Sequence, residues 1–191
     1  RRSSSAASDV YKRQSENDEV IIPTPWYFNH HMWLQMAGVK SIPLDTDANM
    51  NPIIEKAEAL ITDRTRAIVL VSPNNPSGAI YSNQLLQKFF DLCKSNQIRL
   101  IIDETYKDFH PNASQPHTLL ENNNWDQVLT ILYSFSKTYR MTGHRIGALL
   151  TSKENLIEIE KALDTFTVCP PQLGQYAANW GLNNLEAWAA E

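Results

Sequence analysis

The 191-residue chain has the composition of an ordinary globular domain, with 42% hydrophobic and 20% charged residues. No apolar run approaches the roughly 18 residues that cross a bilayer, and a net charge of -4 without a recurring basic stripe argues against a nucleic-acid partner. The two cysteines, Cys93 and Cys169, form neither a metal-site spacing nor a disulfide framework. We therefore predict a cytoplasmic protein with one substantial core, no metal and no membrane segment.

The first fourteen residues differ in composition from the rest of the chain. They hold four of the 17 Lys and Arg residues but one of the 21 Asp and Glu residues. They contain no apolar stretch like that of a secretory signal, and although a transit peptide is also basic and Ser-rich, these residues lead into the middle of a domain pattern. We predict that residues 1–14 are a non-native or disordered leader and that residues 15–191 form part of a domain truncated at both ends.

From Glu19 onward, short β-branched runs alternate with helical patterns. The predicted strands are residues 19–23, 39–44, 67–72, 99–103, 128–133 and 145–151. The predicted helices are residues 29–37, 52–62 and 83–95, with Asn51 and Ser82 as N-caps of the last two. Several strands are apolar without alternation, as strands covered on both faces are. The pattern predicts a three-layer α/β fold with a mostly parallel, doubly wound sheet.

Polar residues follow three of the predicted strands. The segment SPNNPSG follows the third strand, Asp103 and Tyr106 follow the fourth, and Ser134, Ser136 and Lys137 follow the fifth. Because ligands of open α/β sheets bind at the carboxyl ends of the strands, we expect these side chains to converge on one crevice. Their chemistry predicts a ligand that is anionic at one end and cationic at the other.

Four elements in this order resemble a known family. They are Asn75-Pro76-Ser77-Gly78, Asp103-x-x-Tyr106, Ser134-x-Ser136-Lys137, and Arg145 eight residues after the lysine. The set resembles the class I/II aminotransferases, which are related to aspartate aminotransferase and belong to the fold type I enzymes of pyridoxal 5'-phosphate (PLP). The resemblance covers the chain from Glu19 to its end, and four ordered elements are far more specific than any one of them.

The resemblance implies a catalytic role for Lys137, Asp103 and Tyr106. Lys137 would form a Schiff base with the cofactor and then act as general acid/base at the substrate's α-carbon. Asp103 would face the pyridine nitrogen and keep the ring protonated, which makes it an electron sink. Taken singly, Lys137 would be predicted as a surface lysine and Asp103 as a helix N-cap; the ordered set favours the functional roles.

The other matching residues would hold the cofactor's polar groups. Tyr106 and Asn75 would hydrogen-bond its phenolic oxygen, the alternatives being a core tyrosine and a turn asparagine. Arg145 would bind the phosphate through two parallel N–H donors. Ser134 and Ser136 would add hydroxyl donors to the same phosphate.

The family also places an aromatic ring over the cofactor, and the segment PTPWYF at residues 23–28 offers three candidates. The spacing to Gly38 favours Tyr27, with Trp26 second. The alternative is that all three rings belong to the core. No role is assigned to His30, His31, His144 or Lys107, the last a predicted surface charge.

The resemblance implies transfer of an amino group from an amino acid to a 2-oxo acid, in a homodimer. Two other functions stay open: a lyase of the same fold that breaks a C–S or other β bond, and the PLP-binding effector domain of a transcription regulator. The family also uses a phosphate-binding loop upstream of the first strand and, in a small C-terminal domain, an arginine for the substrate carboxylate. We find neither element in this sequence.

Overall fold

The structure is a computed structural model that describes residues 17–111, 115–166 and 168–189. The predicted leader at residues 1–14 lies outside the described residues.

The described residues contain a six-stranded sheet. Its strands are β1 Glu19–Pro23, β2 Lys40–Leu44, β3 Thr65–Val71, β4 Arg99–Asp103, β5 Leu129–Ser134 and β6 Gly147–Leu150. Their order across the sheet is β2-β1-β3-β4-β5-β6; β1 to β5 run parallel, and β6 is antiparallel to β5. The register pairs Asp103 with both Val71 and Leu132, so β3 and β4 end level and β5 continues two residues further at the same end of the sheet. The predicted mostly parallel sheet is confirmed.

Helices cover both faces of this sheet. In the described part of the chain they are α1 Phe28–Met36, α2 Ile54–Leu60, α3 Asn83–Ser95, α4 Lys153–Phe166, α5 Gln172–Asn184 and α6 Glu186–Ala189. On one face, Phe89 and Phe90 of α3 are fully buried in the main core together with Ala57 of α2. On the opposite face, Leu34 of α1 packs against a smaller cluster that includes Val69. This arrangement confirms the three-layer architecture.

The N-cap prediction is right for α3 and wrong for α2. The Ser82 hydroxyl accepts a hydrogen bond from the backbone N–H of Leu85, at an N–O distance of 3.2 Å, and α3 has the predicted bounds. Helix α2 begins only at Ile54, and its cap position makes no side-chain hydrogen bond. The backbone N–H of Asn51 donates instead to the Asp47 carboxylate at 2.8 Å. The aspartate therefore closes a turn where the sequence pattern predicted the start of a helix.

Strand β6 is shorter than predicted, which matters for Arg145. A short 3-10 turn, Thr142–His144, precedes Arg145, whose φ of 52° is left-handed, so Arg145 lies in a turn and not in the strand. The strand begins at Gly147, where a Cβ atom would lie 2.8 Å from the carbonyl oxygen of Tyr133. Only glycine allows β5 and β6 to approach so closely at this end.

No helix within the described residues is both long and apolar enough to cross a membrane.

Candidate active site

All eight residues predicted for the site line one cavity. It lies at the carboxyl ends of β3, β4 and β5 and has a volume of about 210 Å³. The predicted residues in its wall are Tyr27, Asn75, Asp103, Tyr106, Ser134, Ser136, Lys137 and Arg145. Val71, Thr105 and Thr142 also line it and were not predicted. The parallel register explains this convergence, because it brings chain segments far apart in sequence to the same edge.

Asp103 is a buried carboxylate with two hydrogen-bond donors. One carboxylate oxygen accepts from the backbone N–H of Thr105 at 2.9 Å, and the other is 2.9 Å from Nε2 of His30. The residue is only 8% exposed. Burial alone would raise the pKa of the Asp103 carboxyl, but the hydrogen bonds from His30 and Thr105 outweigh it and lower the pKa below the ordinary value. The site therefore holds a fixed negative charge at neutral pH.

His30 is a site residue that the sequence interpretation missed. Its spacing to the other histidines matches no metal site, and its partner lies 73 residues away in the sequence. A local signal was present, since His30 lies three residues after Tyr27 at the start of α1, where side chains share a face. Their rings pack edge to face with centroids 5.7 Å apart.

Tyr27 lines the cavity, and the second candidate, Trp26, packs elsewhere. The Tyr27 hydroxyl accepts a hydrogen bond from the side-chain amide of Asn29 at 2.7 Å. Trp26 instead stacks on His31, with ring centroids 4.9 Å apart, and packs against the smaller core cluster. The preference for Tyr27 as the cavity aromatic agrees with this geometry.

Lys137, Tyr106 and Asn75 form one wall. The Lys137 amine lies 5.5 Å from the centroid of the Tyr106 ring. The Asn75 side-chain amide donates to the Tyr106 hydroxyl at 3.4 Å, a long hydrogen bond. This geometry leaves the Tyr106 O–H free to donate to a ligand oxygen, since a phenol can accept and donate at once.

Donors for an anion also line the cavity. The backbone N–H of Ser136 donates to the Ser134 hydroxyl at 3.2 Å, which folds the segment before Lys137 into a tight turn. Arg145 donates one N–H to the carbonyl oxygen of Thr142 at 2.8 Å. A guanidinium has five N–H donors in a planar fork, so the remaining ones can meet a phosphate.

The donor set suits PLP. A buried carboxylate can hold a protonated ring nitrogen, an amine can bind an aldehyde covalently, and a guanidinium with hydroxyls can hold a phosphate. A metal centre has no counterpart among the described residues, which contain no group of three or more His, Cys, Asp or Glu side chains placed to share an ion.

Comparison with known proteins agrees with the fold. Residues 3–188 match the family described as "Aminotransferase class I and II", and the chain belongs to this family. It is 27% identical over 178 residues to aromatic-amino-acid aminotransferase 2 of Thermococcus litoralis, covering 92% of this chain and 46% of the relative. It is 32% identical over 169 residues to an aspartate aminotransferase of Sulfolobus acidocaldarius, covering 84% of this chain and 41% of the relative.

Solved structures show the same fold over nearly the whole chain. The aromatic aminotransferase from Pyrococcus horikoshii superposes with a TM-score of 0.85 at 25% identity, covering 97% of this chain and 50% of that one. Thermus thermophilus aspartate aminotransferase with maleate gives a TM-score of 0.81 at 25% identity, covering 97% and 50%. The chain thus spans about half the length of the relatives that it matches.

Proposed function

We propose that this chain forms most of the cofactor site of a PLP-dependent aminotransferase, an enzyme that transfers an amino group from an amino acid to a 2-oxo acid. The observation that carries the proposal is that Lys137, Asp103 and Arg145 line the same cavity, with Asp103 held in its ionised form. When bound, PLP supplies an electron sink for negative charge at the substrate's α-carbon. The relatives and solved structures reported above are all named aminotransferases.

Each residue then has one task toward the cofactor. Lys137 would hold the aldehyde carbon, and Asp103 would hold the proton on the ring nitrogen. Asn75 and Tyr106 would hydrogen-bond the phenolic oxygen, and Tyr27 would cover one face of the ring. The phosphate would be held by Arg145, Ser134 and Ser136.

Lys137 is also the group proposed to move the proton. With substrate and cofactor bound, the Lys137 amine would take the proton from the substrate's α-carbon as a general base and would deliver it, as a general acid, to the carbon that Lys137 had held. His30 supports this chemistry indirectly, because its hydrogen bond helps to keep Asp103 ionised.

We further propose that residues 15–191 are part of a PLP-binding large domain, that the enzyme is a cytoplasmic homodimer, and that its substrates are an amino acid and a 2-oxo acid. Exposed apolar side chains support a partner surface: Trp33 and Met36 of α1 are 69% and 75% exposed. Free Cys93 and Cys169, one buried and one exposed, fit a reducing compartment.

Covalent cofactor binding is the sharpest test, because it uses only residues of this chain. The purified chain is mixed with PLP, reduced with borohydride and mapped by peptide mass spectrometry. We expect the pyridoxyl group on Lys137, and its loss in Lys137→Ala. Lys153→Ala, which changes an exposed lysine at the start of α4, is the matched control and should leave the labelling unchanged. Equal labelling of several lysines, unaffected by Lys137→Ala, would contradict the proposal.

Turnover by the whole enzyme separates the proposed reaction from its alternatives. The expected product from an amino acid and a 2-oxo acid is a new amino acid, without loss of a side-chain group. Elimination of a β or γ substituent would favour a lyase. Binding of PLP without turnover, together with specific binding to DNA, would favour a regulator.

A further inference from the structure

A second polar cluster lies beside the cavity and outside its wall. The Asp108 carboxylate accepts a hydrogen bond from the Tyr133 hydroxyl at 2.5 Å and another from the Lys107 amine at 2.6 Å. The Lys107 amine also lies 5.1 Å from the centroid of the Tyr133 ring. The Lys107 side chain, predicted as a surface charge, is partly exposed and paired with Asp108.

The pKa values of Asp108 and Tyr133 are shifted in opposite directions. Burial alone would raise the pKa of Asp108, but the hydrogen bonds from Lys107 and Tyr133 lower it below the ordinary value. Burial and the neighbouring Asp108 carboxylate raise the pKa of Tyr133 above its ordinary value. Tyr133 thus keeps its proton and donates it to an ionised carboxylate, which is among the stronger kinds of hydrogen bond in proteins.

The hydrogen bond joins the two chain segments that carry Tyr106 and Lys137. Asp108 belongs to a 3-10 turn, Lys107–Phe109, that begins directly after Tyr106. Tyr133 lies in β5, one residue before Ser134 and four before Lys137. The two segments also meet through the backbone hydrogen bond from the Glu104 N–H to the Leu132 carbonyl oxygen, at 2.8 Å, through the Lys107 amine over the Tyr133 ring, and through Thr138, whose side chain interacts with Asp108.

We propose that the Asp108–Tyr133 hydrogen bond is a positioning pair that sets where the Tyr106 hydroxyl lies relative to the Lys137 amine. Neither Asp108 nor Tyr133 lines the cavity, so both act through the residues that they hold. Its expected effect on the spectrum of the bound cofactor rests on the function proposed above. Its expected effect on hydrogen exchange in the cofactor-free chain does not.

Hydrogen exchange of the cofactor-free chain tests the positioning directly. Tyr133→Phe removes the donor and leaves the Asp108–Lys107 pair in place, so the fold should survive. We expect amide exchange to rise about tenfold in both residues 104–110 and 134–141, with the 67–71 strand unchanged. Asp108→Asn should raise exchange in the same two segments.

The reporting amides are defined by the structure. In residues 104–110 the N–H of Phe109 donates to the Tyr106 carbonyl oxygen. In residues 134–141 the N–H of Met141 donates to the Phe135 carbonyl oxygen. A change confined to residues 104–110 would overturn the proposal, because the hydrogen bond would then hold only its own turn. An equal rise throughout the sheet would also overturn it, since it would indicate general destabilisation.

Glu19→Ala, which removes the acceptor, provides a matched control. The Thr62 hydroxyl donates a hydrogen bond to the Glu19 carboxylate at 2.6 Å. Like the Asp108–Tyr133 bond it joins a hydroxyl to a carboxylate, but it lies at the end of the sheet where the parallel strands begin. Its loss should change exchange near residues 62–65 and leave residues 104–110 and 134–141 unchanged.

The loaded chain provides a spectroscopic test. The pH midpoint at which the bound cofactor's absorbance changes reports how well its phenolic oxygen is hydrogen-bonded, and Tyr106→Phe should raise this midpoint. Tyr133→Phe should raise it by about half a unit. Because Tyr133 acts through Tyr106, the double variant should match Tyr106→Phe alone.

Additive shifts in the double variant would overturn the proposal. If the wild-type chain gave no Lys137-dependent spectrum, the proposed function would fail, and the exchange measurements on the cofactor-free chain would still decide the positioning.

Discussion

The hydrogen bond between His30 and Asp103 allows a quantitative prediction. Asp103 is 8% exposed, and its Oδ2 atom lies 2.9 Å from His30 Nε2. His30→Ala removes one hydrogen-bond donor to this carboxylate and keeps the other, the backbone N–H of Thr105. Hydrogen bonds to charged groups contribute about 1.5–3 kcal/mol. We therefore expect the free energy of unfolding at pH 7 to fall by about that amount.

A double-mutant cycle separates this hydrogen bond from the packing that His30 also provides. Urea unfolding, followed by tryptophan fluorescence, is measured at pH 7 for wild type, His30→Ala, Asp103→Asn and the double variant. We expect a coupling free energy of about 1–3 kcal/mol. A value below about 0.5 kcal/mol, the size of ordinary non-additivity, would refute the reasoning.

The pH dependence has a definite sign. The folded pKa of Asp103 is lower than its unfolded value of 3.8, so the carboxylate stabilises the fold in full above that value. This contribution is lost as the pH falls through the lower, folded pKa. The stabilisation that comes from the lowered Asp103 pKa should thus shrink as the pH falls below 3.8, and so should the difference in unfolding free energy between wild type and Asp103→Asn.

Asp18 is a suitable control for the cycle. It is buried and pairs with Arg66 at 2.8 Å. It precedes β1, so it lies at the end of the sheet where the parallel strands begin, whereas Asp103 lies at the end where they finish. Asp18→Asn combined with His30→Ala should be additive within about 0.5 kcal/mol.

Three further predictions concern the helix cap, the phosphate end of the cavity and the core. Ser82→Ala should lower the free energy of unfolding by about 1 kcal/mol, while Asn51→Ala, which removes no cap, should change it by less than about 0.5 kcal/mol; urea unfolding measures both. Arg145→Lys should weaken PLP binding about tenfold in an absorbance titration, because the planar guanidinium is lost. Arg64→Lys, just before the start of β3 and so at the other end of the sheet, should leave PLP binding unchanged. Phe89→Ala should cost about 3–5 kcal/mol in the same unfolding assay, since Phe89 is fully buried; a cost under about 1 kcal/mol would contradict its place in the core.

Local patterns predicted the six strands and the three helices α1 to α3 but did not place the helices α4 and α5. The strand Arg99–Asp103 and the helix Asn83–Ser95 have the predicted bounds, because a short apolar run and a capped amphipathic repeat are properties of neighbouring residues. The boundary errors at α2 and β6 have local causes. Asp47 takes the N–H of Asn51 and delays α2, and the left-handed Arg145 delays β6.

The sequence predicted those site residues that belong to short motifs near the ends of strands. Asn75, Asp103, Tyr106 and Lys137 each follow a strand, so one topological rule brings them to one edge. His30 escaped this rule because it lies on a helix and meets its partner across the sheet.

The amino-acid sequence alone determined the layered α/β fold and the residue types available for a charged ligand, because both depend on periodicity and on short motifs. Only the tertiary structure decided which side chains form hydrogen bonds with the residues of the site. His30 and Asp103 are 73 residues apart, and Asp108 and Tyr133 are 25 apart. Such hydrogen bonds depend on strand order and register, which bring distant segments within 3 Å of each other only when the sheet has formed.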